Sequence, residues 1–258
     1  MLHRVDDLLG FTLHATDGDI GRVHDLYFDD LHWTVRYLVV ETRHWLPGRR
    51  VLLSPASVRR IDWSHREMVV TLSREQIRES PSVDTDKPVA EQNAVLFREC
   101  YILPYYWAVG GYLWGPTQSP EGQWTAPTSV TTPRRESRKR DGDPHLRSTG
   151  VLRGYGVTAT DGDIGHVEDF LIDDASWALR WVVVSTRHWR SAKRVLVPSD
   201  WIAWVSWIQF AVHVDLDLRA ILNGPEFDPA LSFTDLDEAQ LRAIYGRPPR
   251  RRYGARTA

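Results

Sequence analysis

Apolar side chains recur at every second position through much of the chain. Trp33, Val35, Tyr37 and Val39 fall on one side of such a run, and Trp177, Leu179, Trp181 and Val183 on one side of another. This is the period of a strand with one face buried. Met68, Val70 and Leu72 repeat the pattern, as do Val212, Val214 and Leu216, while the positions between them vary freely, Val69 against His213 and Thr71 against Asp215. Asp17-Gly18 and Asp161-Gly162 lie between short extended runs and supply the positive-φ residue of a tight hairpin. The period changes over residues 73–79 and 217–223, which read as short helices. Ser73 and Asp217 are the N-caps, Gln76 completes a capping box, and Pro81 and Pro225 act as stops beyond the helices. Five or six short strands with one short helix predict a small barrel, because closure removes exposed strand edges.

The pattern occurs twice. A shift of 144 places Ala15-Thr16-Asp17-Gly18-Asp19-Ile20-Gly21 on Ala159-Thr160-Asp161-Gly162-Asp163-Ile164-Gly165 without a gap. The same shift superposes Asp29-Asp30 on Asp173-Asp174, Thr42-Arg43-His44-Trp45 on Thr186-Arg187-His188-Trp189, and Trp63 on Trp207. Roughly two in five positions between 8 and 81 are identical to their partners, which marks a duplication with a period too long for a solenoid. Pro81, Asp84, Arg98, Tyr101 and Pro104 still match Pro225, Asp228, Arg242, Tyr245 and Pro248, so the unit includes a C-terminal appendage.

The predicted organisation is a barrel at 1–81, a helical appendage at 82–104, a linker at 105–149, a second barrel at 150–225, and a second appendage with an Arg-rich tail at 226–258. The linker is aromatic in its first half, with Tyr105, Tyr106, Trp107, Tyr112, Trp114 and Trp124 among glycines and prolines. It then turns to Ser, Thr, Pro and charge.

The order Leu8-Leu9-Gly10, Asp17-Gly18-Asp19-Ile20-Gly21, Val23, Asp25, Phe28-Asp29-Asp30, Arg36-Tyr37-Leu38-Val39-Val40, Gly48-Arg49-Arg50-Val51-Leu52-Leu53 and Leu72-Ser73-Arg74-Glu75-Gln76 resembles the PRC-barrel domain. Copy two repeats it from Gly154 to Ile221. That small barrel is shared by the cytoplasmic part of the photosynthetic reaction-centre H subunit and the C-terminal domain of a ribosome-maturation factor. The tandem layout is similar to a group of bacterial two-barrel proteins. The resemblance implies a mainly β chain with short helices, two tandem PRC-type barrels, and action by docking on protein partners. Two departures are visible: the chain carries no N-terminal membrane helix, and a second barrel stands where the ribosomal type has a different domain.

Composition narrows the function classes. The chain has 258 residues, 42% hydrophobic, with a formal net charge of −2, so its overall charge makes no case for DNA or an anionic membrane. The lone Cys100 suits a reducing, cytoplasmic setting. The most apolar window, 201–214, falls short of the roughly 20 residues that span a bilayer. The basic run Arg134, Arg135, Arg138, Lys139, Arg140 and the tail Arg250-Arg251-Arg252 read as solvated segments, which argues against RNA as a partner.

No nucleophile elbow, phosphate loop or paired-carboxylate motif is present, and no catalytic, cofactor or metal residue is expected. Asp17, Asp19, Asp25, Asp29 and Asp30 fail the spacing of a calcium loop and read as turn and cap residues. Arg43, His44, Arg187 and His188 are candidates for contact with an anion or an acidic partner. The sharper signal is aromatic. Copy two has Trp201, Trp204 and Trp207 where copy one has Ser57, Arg60 and Trp63, and a spacing of three predicts a turn or helical segment with all three rings on one side. With Trp107 and Trp114 these form the candidate protein interface. The expected function is a non-enzymatic binding or adaptor module that engages a protein, a second copy of itself, or its own other barrel. The alternatives are a reaction-centre H-like role in proton uptake and a ribosome- or RNA-associated maturation factor.

Overall fold

The computed structural model describes residues 1–42, 45–46, 48–79, 145–186, 193–229 and 235–245. It is mainly β with short helices. Repeat one comprises β1 (Leu2–Arg4), α1 (Val5–Leu8), β2 (Thr12–Ala15), β3 (Gly18–Asp29), β4 (Thr34–Glu41), β5 (Arg50–Leu53), β6 (Val58–Asp62), β7 (Glu67–Val70) and α2 (Arg74–Glu79). Repeat two comprises β8 (Leu146–Ser148), α3 (Thr149–Leu152), β9 (Gly156–Ala159), β10 (Gly162–Asp173), β11 (Leu179–Thr186), β12 (Arg194–Pro198), β13 (Ile202–Ser206), β14 (Ala211–Val214), α4 (Leu218–Leu222) and α5 (Asp235–Ile244).

The strands form two mixed sheets, each in the same order: β5-β4-β3-β2-β7-β6, and β12-β11-β10-β9-β14-β13. Among the described residues, only β2–β7 and β9–β14 run parallel. The terminal strands β5 and β6 are consecutive in sequence, joined through a 3₁₀ turn at Pro55–Ser57, but are not paired to each other. The expected ladder closure is therefore absent at this seam, and a short covalent turn keeps the sheet's two ends together instead.

Local chemistry explains the elements. Ser73 and Gln76 form the reciprocal box at the start of α2: the Gln76 amide donates to Ser73 Oγ at 3.3 Å and the Ser73 amide to Gln76 Oε1 at 2.9 Å. Asp217 caps α4 by accepting from the Ala220 amide at 2.6 Å. Gly21 and Gly165 are dictated by close approach, because a Cβ there would stand 2.0 Å and 1.9 Å from the carbonyl oxygens of Glu41 and Ser185.

The alternation through β4 is interrupted. Phe28 pairs with Val35 and Tyr27 with Tyr37, leaving Arg36 as an extra residue. A bulge of this kind flips the period of two. Trp33 and Val35 thus enter the central core together with Leu38 and Val40, while Tyr37 and Val39 join an outer cluster with Tyr27, Leu52 and Leu146. The expectation of one face for Trp33, Val35, Tyr37 and Val39 is corrected accordingly, and the same shift occurs at Arg180 in repeat two. The extra residue has a purpose. The Arg36 guanidinium pairs with Asp29, which is fully buried and also accepts from the Leu31 and His32 amides.

The first strand of each repeat belongs to the other repeat's sheet. β1 pairs antiparallel with β10, and β8 with β3. The registers are related by the same shift of 144: Leu2 faces Asp173 and Leu146 faces Asp29. Residues 145–149 thus lie within the folded unit rather than in the linker, as the equivalents of residues 1–5. One apolar cluster runs through both repeats, with Phe28 and Phe170 ring centroids 6.3 Å apart.

Candidate functional site

The hairpin β13–β14 displays the asymmetry between the copies. It is positioned by parallel pairing of β14 on β9 and antiparallel pairing of β13 on β14, and β13 is the edge strand of its sheet. The three tryptophans do not share a side, because they sit on different local structures. Trp201 ends a 3₁₀ turn at Ser199–Trp201, is only 4% exposed, and meets the Tyr245 ring edge-on at 5.0 Å. Trp204 lies in β13 and is 59% exposed, its ring stacked at 4.3 Å on His213 across the strand pair. Trp207, in the turn, is half-buried against Tyr155 and beneath the Arg147 guanidinium at 4.2 Å. Strand geometry rather than helical geometry governs 202–206, and a spacing of three on a strand alternates faces.

Two further residues complete the exposed apolar surface. Ile208 is 91% and Phe210 62% exposed. Phe210 also holds a left-handed backbone at φ 52°, a conformation that is costly for a bulky side chain. Its counterpart Arg66 has the same geometry, at φ 56°, so the turn imposes it in both copies. Among the described residues, three of the seven exposed large hydrophobic side chains lie on this one hairpin, which separates it from ordinary scattered surface residues.

The copy-one hairpin gives the contrast. Trp204, Ile208 and Phe210 correspond to the exposed Arg60, Ser64 and Arg66. From 58 to 70 that hairpin carries Arg59, Arg60, Asp62, His65, Arg66 and Glu67, whereas from 202 to 214 the only titratable side chain is His213. Tryptophan spacing does not single out Ile208 and Phe210. The signal that finds them is this loss of charge between aligned hairpins.

The remaining candidates fall elsewhere. Arg43, His44, Arg187, His188, Trp107 and Trp114 lie outside the described residues. Next to the first of these, Trp45 is half-buried, its indole donating to the Ile20 carbonyl at 2.5 Å, with the Arg74 guanidinium 5.7 Å from its ring. A cavity of about 370 Å³ beside it is lined by Asp19, Arg22, Glu41 and Arg74, of mixed charge.

The carboxylates act as turn, cap and bridging groups. Asp17 and Asp161 accept from the Arg74 and Leu218 amides at 2.8 and 2.7 Å. Asp174 takes the Met1 ammonium at 2.8 Å and His3 at 3.3 Å; burial alone pushes its carboxyl up, but these hydrogen bonds and charges outweigh it and hold the group at about 2. Among the described residues, no helix is long and apolar enough to cross a membrane. No family model and no curated protein matches the chain.

Proposed function

We propose that the chain is a non-catalytic docking protein, built from two PRC-barrel-like units, that binds a protein partner through the β13–β14 hairpin. The observation that carries this reading is the replacement of Arg60, Ser64 and Arg66 by Trp204, Ile208 and Phe210 at exposed, superposable positions of the duplicated fold. The first copy folds with polar residues there, so the fold does not require aromatic ones. Apolar and aromatic side chains on a segment with no Asp, Glu, Lys or Arg of its own resemble the centres of protein interfaces. The barrel reading rests on the sequence resemblance and on the short turn that brings each sheet's two end strands together. The partner is a protein with an apolar, uncharged groove. A membrane surface fits less well, because docking on anionic lipid uses Lys and Arg, and the hairpin has neither.

The test converts one hairpin into the other. The triple variant W204R/I208S/F210R should retain the fold, seen as an unchanged circular dichroism spectrum, and lose the proteins that the intact chain retains from its native lysate. Equal retention by both would overturn the reading. So would hairpin-dependent binding to vesicles of anionic phospholipid, which would make the surface a lipid anchor.

A further inference from the structure

The exchanged arms carry an inference beyond docking. Arm one, residues 1–8, and arm two, residues 145–152, each leave their own repeat's sheet and fill a place in the other. Leu2, Val5 and Leu8 of the first arm and Leu146, Thr149 and Leu152 of the second are all buried.

Each seat ends in an aspartate from the receiving repeat that meets the first turn of the incoming helix. Asp25 accepts from Thr149 Oγ at 2.9 Å and from the Gly150 amide at 3.1 Å. Asp169 accepts from Arg4 Nε at 2.9 Å and from the Asp6 amide at 3.3 Å. Gly150 and Asp6 are equivalent under the shift of 144, so the clip is the same at both ends. At α1 the residue before the helix, Arg4, offers no side-chain cap; the capping carboxylate comes from the other repeat.

A third reciprocal contact joins the turns after β3 and β10. The Val35 amide donates to the Trp177 carbonyl at 2.8 Å, and the Leu179 amide to the Trp33 carbonyl at 2.7 Å. Trp33 and Trp177 both hold left-handed backbone, at φ 54° and 57°. Two bulky residues keep a costly conformation where each serves the opposite repeat.

We infer that the two repeats are an obligate, self-complementary pair: each half is held by the arm of the other, and the partner that fits either seat is the matching arm, on this chain or on a second copy of it. The covalent connection raises the local concentration of one half around the other without supplying the contacts that hold them.

Two measurements on the full chain test this. In the first, a site-specific protease sequence is inserted between Pro127 and Thr128 and cut in the native protein. The two fragments should elute together from a sizing column at about 1 μM, an affinity range that specific interfaces of ordinary size reach. Separate elution would overturn the inference. In the second, Met68, buried in repeat one, is replaced by the residue found at the equivalent place in repeat two, M68V, so that folding is retained. Hydrogen exchange of the Val182, Val183 and Val184 amides in repeat two should then accelerate by roughly the same factor as that of the β4 amides, on the order of tenfold. Acceleration confined to repeat one would show two independent units and sink the proposal.

Discussion

Phe210 illustrates how a single residue can oppose local preference for the sake of the surface. A left-handed turn position favours Gly or Asn, and the Phe210 ring gains only an edge contact with Tyr155 at 5.4 Å. Phe210→Gly should therefore leave thermal stability unchanged or raise it by up to about 1 kcal/mol, while weakening capture of the partner; a marked fall in the melting temperature would show that the ring serves the fold. Asp174 works in the opposite sense. Its folded-state value of about 2 lies below the ordinary 3.8, so its contribution to stability is present above pH 4 and is lost as pH falls towards 2. In denaturant titrations, Asp174→Asn should be less stable than the natural chain at pH 6 and should show a smaller loss between pH 4 and pH 2. An equal loss in both would mean that His3 and the N-terminal ammonium do not hold that carboxylate.

Among the elements, the arms are the shortest and the most consequential. Asp169 is 1% exposed and is held by Arg4 and Arg153, each at 2.9 Å. Burial pushes its carboxyl up, against the pull of both guanidinium groups. Asp169→Ala removes the buried acceptor and leaves the part-exposed Asp6 as the carboxylate those two cations still share. Because both arginines keep some access to water, the expected cost is about 2–3 kcal/mol, below that of breaking a fully buried pair; a change within 0.5 kcal/mol in urea unfolding would show that the clip does not hold the arm. Most elements were legible in the sequence. The capping box at Ser73 and Gln76 and the Asp-Gly hairpins sit where their local chemistry predicted. The split alternation of β4 was not legible, because a bulge at Arg36 is decided by the Asp29 ion pair, a contact formed only once the turn has folded.

At the level of the molecule, duplication hid the exchange. Residues 1–8 and 145–152 are equivalents, so either arm satisfies the same hydrophobic pattern in either seat, and no periodicity distinguishes an arm returning to its own sheet from one crossing to the other. The candidate site was legible only in part for a related reason. Tryptophan counting found Trp201 and Trp204, but core burial claimed Trp201 through Tyr245, and the exposed companions Ile208 and Phe210 are unremarkable until the two hairpins are aligned.

Fusion of the two halves also fixes valence. A symmetric pair made of two identical chains would carry every surface substitution twice, so a hairpin bearing Trp204, Ile208 and Phe210 would appear on both sides, and a partner with two grooves would link such pairs into open chains. Here the exchanged arms join unlike halves, one with Arg60, Ser64 and Arg66 and the other with the apolar trio. Under the docking function proposed above, the pair keeps its reciprocal framework and presents one apolar hairpin, which would terminate an assembly instead of propagating it.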